Sequence, residues 1–147
     1  MDTKWFDSHK RAIEHEPHAA VEFCNRVFVY GTLKRGHGNH RLLRNSVFLG
    51  SGSTAQRFPL YVRGLPYLYP QPNSGEHVLG EVYQVDPQTM ARLDKLEGHP
   101  RFYCRILIDI QGDPDYPPAR AWAYFINSVM ESSEPVAEYV GRMGQLS

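Results

Sequence analysis

The sequence predicts an α+β domain in which about six short strands curl into a small mixed barrel with a few flanking helices. Short apolar runs bounded by Gly, Pro and Asn recur from Arg26 onward. One segment alone, "DPQTMARLDKLEG" from Asp86 to Gly98, carries helix signals at both of its ends. The order of these pieces also departs from the alternation that builds βαβ units.

Residues 1–25 read as an N-terminal extension ahead of a single domain spanning 26–147. In it, Asp7 or Ser8 caps a short helix through Ile13, which Pro17 ends. "RVFVYG" is a strand apolar on both faces and therefore central. "HRLLRNS" is a short helix. "VFLGSGSTAQ", "FPLYVRG" and "YLYP" are extended pieces that Pro59, Pro66 and Pro70 confine to edges or bends. "HVLGEVYQVD" is a strand in which Gly80 marks a bulge or a close backbone approach. "FYCRILIDI" and "ARAWAYFI" are strands joined by the irregular loop "QGDPDYPP". The tail "SSEPVAEYVGRMG" is expected to hold a short helix with Pro135 in its first turn.

Bulk properties exclude several classes. Lys plus Arg and Asp plus Glu both number 16, so the basic excess of a nucleic-acid binder is missing. No apolar run approaches the ~20 residues of a membrane span, and residues 1–20 lack the apolar core of a signal peptide. Cys24 and Cys104 stand far apart without a CxxC pattern, which points to thiols in a reducing, cytoplasmic compartment.

The helix holds the most informative residue. Asp86 suits the N-cap, Pro87 the first helical position, and Gly98 the left-handed residue after the end. Met90, Leu93 and Leu96 mark the apolar stripe. At 100° per residue from Met90, Leu93 falls at roughly 300°, Leu96 at roughly 240° and Glu97 at roughly 340°. Glu97 thus points inward, with Asp94 on the flank at roughly 40°. Burial and the negative helix end both raise the pKa of such a carboxyl, as proton shuttling requires. The alternative is that the last turn frays and Glu97 pairs with Arg101 or Arg105 at the surface.

Other candidates carry weaker signals. Glu81, on a strand face with Leu79, Tyr83 and Val85, reads as a residue capping a barrel end or pairing with an arginine. His37, His40 and His99 include an HxxH spacing without a matched carboxylate, so no metal site is expected. Ser46 and Ser53 have no nucleophile-elbow context, and Cys104 reads as a small buried hydrophobe.

Two motifs come together here: "VYGTLKRG" after the first strand, and "LDKLEGHPRFYCR" at the helix end. With "NHRLL", "PLYVRGLPYL" and "GEVYQVD", they resemble the γ-glutamylcyclotransferase (AIG2-like) family over residues 26–126. Within it the chain is most similar to the γ-glutamylamine cyclotransferase-like branch. The resemblance implies a small β-barrel with a pocket at one mouth. It implies that Tyr30, Gly31, Thr32 and Leu33 hold the γ-glutamyl part of a small-molecule substrate, and that Glu97 is the catalytic acid/base. Tyr103 and Tyr124 are implied to line the pocket. On this reading Gly31 leaves room for substrate to approach the backbone. The implied reaction forms 5-oxoproline and needs no metal or cofactor. The group released is either an amine or an amino acid. A non-catalytic binding or interaction module on the same fold is the competing reading.

Overall fold

The computed structural model describes residues 4–15, 25–112, 119–127 and 136–140. Among the described residues seven strands form: β1 (Arg26–Val29), β2 (Val47–Thr54), β3 (Leu60–Arg63), β4 (Leu65–Leu68), β5 (Leu79–Gln84), β6 (Tyr103–Gly112) and β7 (Ala119–Ile126). Five of them close a barrel in the order β1-β5-β2-β6-β7. Its neighbours are antiparallel except at the closing seam, where β1 runs parallel to β7 through Val27 and Trp122. The expected barrel is therefore present. The proline-marked pieces are set apart from it as a two-stranded hairpin, β3 with β4. No described helix is long and apolar enough to cross a membrane.

Alternation divides the core into two sets. Phe28, Val82, Ile106, Ile108, Ala121, Ala123 and Phe125 belong to one buried cluster. Val27, Val29, Tyr83, Trp122, Tyr124 and Ile126 belong to the other, together with Leu93 of the helix α2 (Pro87–Glu97). A helix cannot lie inside a five-stranded barrel, so the second set is the outer face that α2 covers. Both faces of β1 are buried, as its unbroken apolar sequence requires.

Gly80 is where β5 passes closest to β1. A Cβ there would stand 2.5 Å from the Val29 carbonyl oxygen and 2.6 Å from Phe28 Cζ. Of the two readings of this glycine, close approach is the one realised, and the bulge lies in β2, between Phe48 and Gly50.

Two expectations about the ends need correction. Helix α1 spans Lys4–His15, so Asp7 and Ser8 lie within it instead of capping it. Burial accounts for the earlier start. Phe6 joins the inner cluster, and the Trp5 ring packs 5.1 Å from Phe58 and 5.4 Å from Phe125. In the tail, residues 136–140 carry no helix. Val136 instead bridges to Leu60, donating its N–H to that carbonyl at 2.8 Å, and Tyr139 is buried. Cys24, Pro17, Pro135 and most of the "QGDPDYPP" loop lie outside the described residues.

Substituting Gly80→Ala is expected to destabilise the protein by about 1–3 kcal/mol, because the obstructing atoms include fixed backbone. Chemical denaturation with an unchanged midpoint would contradict this account of the β1–β5 packing.

Candidate active site

Helix α2 forms as its end signals demand. The Asp86 carboxylate accepts the Thr89 N–H at 2.6 Å, Pro87 occupies the first turn, and Gly98 ends the helix at φ 67°. The His99 N–H then donates to the Asp94 carbonyl at 2.9 Å, fixing how the chain leaves. Leu93 is fully buried and Met90 partly so, but Leu96 is 43% exposed. The inward stripe is thus narrower than expected. It centres on Leu93 and Glu97, and Leu96 falls at its margin, where the helix end clears the barrel.

Glu97 is half-buried, and among the described residues no group donates a hydrogen bond or ion pair to its carboxylate. Burial pushes its pKa up to about 7. The anticipated surface pairing with Arg105 does not form. Arg105 Nε instead donates to Asp94 Oδ1 at 2.9 Å, and the guanidinium lies 4.4 Å from the centre of the Trp122 ring.

The end of β1 faces Glu97 across a cavity of about 150 Å³. Tyr30, Gly31, Thr32, Leu33, Glu97, Tyr103 and Tyr124 all line it, so the sequence-predicted site residues share one space. Three phenols surround the carboxylate closely enough for its charge to act on them. Burial first, with Glu97 among the further causes, pushes Tyr30, Tyr103 and Tyr124 well above the usual phenol range. Each therefore keeps its proton and donates elsewhere. Tyr30 donates to the Tyr124 carbonyl, Tyr103 to the Pro66 carbonyl at 2.7 Å, and Tyr124 to Asp94 Oδ1 at 2.7 Å.

The loop after β1 is held by its carbonyls. Gly31 O accepts from Lys34 N–H at 3.0 Å, Thr32 O from Asn39 N–H at 2.9 Å, and Leu33 O from His40 Nδ1 at 2.9 Å. Asn39 Nδ2 also donates to the Thr32 hydroxyl at 2.9 Å. The N–H groups of Gly31, Thr32 and Leu33 have no acceptor among the described residues. Three neighbouring donors and one unpaired carboxyl group thus border the same cavity, an arrangement suited to holding an acyl oxygen or a carboxylate while moving a proton.

Gly31 has a structural reason to lack a side chain: a Cβ there would stand 2.5 Å from Pro66 Cγ. The hairpin supplies this wall and, with Leu65, Leu96 and Phe102, an exposed apolar rim. Reading the sequence missed Asn39, Pro66 and the Asp94–Arg105 pair. Asn39 carried a signal as the residue opening "NHRLL", and Asp94 as the flank of the inward stripe, whereas Pro66 meets Gly31 only through tertiary packing.

The remaining candidates take other partners. Glu81 accepts from Arg35 N–H at 2.9 Å and from the Tyr83 hydroxyl at 3.0 Å, and Arg35 Nε lies 3.5 Å away. Burial pushes its carboxyl up, but these donors outweigh it and hold the pKa below the ordinary range. It borders a separate groove with Lys34, Arg35 and Glu138. His99 Nδ1 accepts the Arg105 N–H at 3.0 Å, while the His37 ring lies 5.3 Å from that of Tyr139. Cys104, on β6, is buried.

Comparison with known proteins adds a lineage. Residues 27–140 match the family model described as gamma-glutamyl cyclotransferase, AIG2-like. A protein of Methanocaldococcus jannaschii, provisionally named a gamma-glutamylcyclotransferase, is 43% identical over 100 residues, covering 67% of this chain and 82% of that one. The human gamma-glutamylaminecyclotransferase is 42% identical over 100 residues, covering 63% of this chain and 65% of its own. This chain thus spans slightly under two thirds of that human relative. The crystal structure of a mouse AIG2-like protein superposes with a TM-score of 0.71 at 31% identity, covering 82% of this chain and 92% of that one.

Burial of Glu97 has a consequence for stability. Its folded-state pKa lies above the unfolded value, so between about pH 4.5 and 7 the folded chain holds a proton that the unfolded chain has lost. Stability from this group is present below that window and falls as pH rises through it. Glu97→Gln is expected to remove the slope and to gain about 1 kcal/mol over the parent above pH 7, after discounting for solvent at the cavity. Equal melting temperatures at pH 8 would contradict the assigned burial.

Proposed function

Because the chain belongs to the gamma-glutamyl cyclotransferase, AIG2-like family, we propose that it releases 5-oxoproline from a γ-glutamylamine, with Glu97 as the general acid/base. The substrate's α-amino nitrogen attacks its own γ-carbonyl carbon. A C–N bond forms in the five-membered ring, and the bond to the departing nitrogen breaks. Glu97 accepts the proton released by the attacking nitrogen and returns it to the leaving one.

One observation carries this reading: an unpaired carboxyl group with a raised pKa shares a cavity with three amide donors. An α-ammonium group titrates near pH ~8, so an ordinary glutamate would take its proton at a cost of about 5 kcal/mol. A carboxyl at about 7 lowers that cost to roughly 1.4 kcal/mol. The N–H groups of Gly31, Thr32 and Leu33 supply donors to the glutamyl part or to the developing oxyanion, where one donor is worth about 10²–10³ in rate. Holding the chain folded for ring closure contributes orientation. Tyr103 and Tyr124 form walls that keep water from the carboxyl group.

The departing nitrogen is that of an alkyl or side-chain amine rather than the α-amino nitrogen of an amino acid. Among the described lining residues Glu97 is the only charged side chain, so a leaving α-carboxylate would face no cation. The rim of Leu65, Leu96 and Phe102 suits an aliphatic stem, such as that of an ε-linked lysine whose own charges stay in solvent. The reaction belongs to residues 26–147, with 1–25 as an extension, and to the cytoplasm, where the thiol of Cys104 stays reduced.

Glu97→Gln is expected to lower kcat by about 10²–10⁴ while leaving the fold intact. The assay is 5-oxoproline release from γ-glutamyl-ε-lysine, simple γ-glutamylamines and γ-glutamyl dipeptides, with the amines turned over more efficiently. Substantial residual activity in the variant sinks Glu97 as the base. Binding of 5-oxoproline without turnover by the parent protein would favour a binding module.

A further inference from the structure

Asp94 takes no part in the steps above, yet one of its oxygens receives two donors, one of them from the wall of the site. Arg105 Nε lies 2.9 Å and the Tyr124 hydroxyl 2.7 Å from Asp94 Oδ1. Asp94 and Glu97 are three residues apart on α2, so they are neighbours on the helix surface. Arg105 is half-buried beside Asp94, and among the described residues its guanidinium is ion-paired to Asp94 and not to Glu97. One carboxylate of the pair has taken the cation and the other has been left without one.

We propose that Asp94 is a positioning residue for this site: by holding the Arg105 guanidinium and the Tyr124 hydroxyl on one oxygen, it keeps this half-buried cation from turning toward Glu97. An opposite charge a few ångströms away lowers a carboxyl pKa by about 1–3 units, enough to make Glu97 an ordinary, weak base. The groups facing Glu97 from the packed elements are Tyr30 at the end of β1, Tyr103 on β6 and Tyr124 on β7, all neutral. Leu65 and Pro66 of the hairpin and Asn39 of the loop carry no charge. On its own segment, Lys95 and Arg101 are exposed to solvent. His99 is held below its ordinary pKa, first by burial and further by Arg105, against the opposing pull of Asp94. Arg105 is thus the half-buried cation that a rearrangement would bring to Glu97.

The catalytic meaning of this role rests on Glu97 being the base proposed above, but the charge arrangement can be read without turnover. The Glu97 side-chain carboxyl is titrated by ¹³C NMR, its signal assigned by its loss in Glu97→Gln. The parent is compared with Asp94→Asn, Arg105→Gln and the double variant. In Asp94→Asn the midpoint is expected to fall by at least about one pH unit. In the double variant it returns to the parent value, because the cation that caused the fall is gone. An unmoved midpoint in Asp94→Asn overturns the proposal. So does a double variant that stays low, since loss of the Asp94 charge would then suffice. If Asp94→Asn does not fold, Asp94→Glu is read instead. A midpoint kept at the parent value supports the proposal, and a fall of one unit overturns it. In turnover, kcat falls and the acid limb of kcat/KM moves with the midpoint. A fall in kcat with the limb unmoved shows a merely structural role and overturns the proposal. A parent that releases no 5-oxoproline, but whose carboxyl titrates as described, overturns only the assigned reaction.

Discussion

The parallel seam between β1 and β7 is the constraint on which the site depends. Every other junction of the barrel is antiparallel, and closure brings the C-terminal ends of these two strands side by side. Beyond the Val27–Trp122 pair, the Tyr30 hydroxyl takes over the work of the ladder and donates to the Tyr124 carbonyl. That side-chain bond satisfies a buried acceptor at the end of the seam. It also frees the backbone after Tyr30 to turn into a loop. Without the seam, the loop amides and the end of α2 would not share a cavity.

Given that geometry, the cost of the site is concentrated in one group. A carboxyl group taken from water without a partner resists ionisation, and Glu97 answers by holding its proton to about pH 7. The surroundings could have relieved this in several ways and do not. Three phenols stand within reach of its charge, each already donating to another acceptor. The half-buried guanidinium is committed to Asp94 and stacked on Trp122. Satisfying the tyrosines and Arg105 elsewhere is what leaves Glu97 unpaired, so its titration is a property of the whole network.

Local signals made much of this legible in the sequence. The caps of α2 fix the helix register, and register alone puts Glu97 on the inward face. The apolar sequence of β1 identifies a strand buried on both sides, and the prolines of "FPLYVRG" and "YLYP" set the hairpin off from the barrel. Long-range contacts stayed hidden. Asp7 and Ser8 are good capping residues, but burial of Trp5 and Phe6 draws the helix start further back. Pro135 suggests a helix, while the chain just after it is drawn into a bridge with Leu60. Gly31 looked like room left for a ligand, and the atom that first claims that room is Pro66 Cγ. Each of these was decided by a partner at least 35 residues away in the chain, which no local pattern encodes.

The loop after Gly31 shows why an irregular segment can serve such chemistry. Its carbonyls are bound by Lys34, Asn39 and His40, all from within the next few residues. These bonds need no ligand to form, so the loop is already ordered when substrate arrives. A peptide whose carbonyl is held on one side presents the N–H of the following residue on the other, because the two bonds point in opposite directions across a planar trans unit. Holding the Gly31 and Thr32 carbonyls therefore fixes the N–H groups of Thr32 and Leu33, which share their peptide planes. Donors aimed in advance contribute more to a transition state than donors that must first reorient. A strand or helix would have used the same N–H groups in its own ladder, so the site sits where regular structure stops.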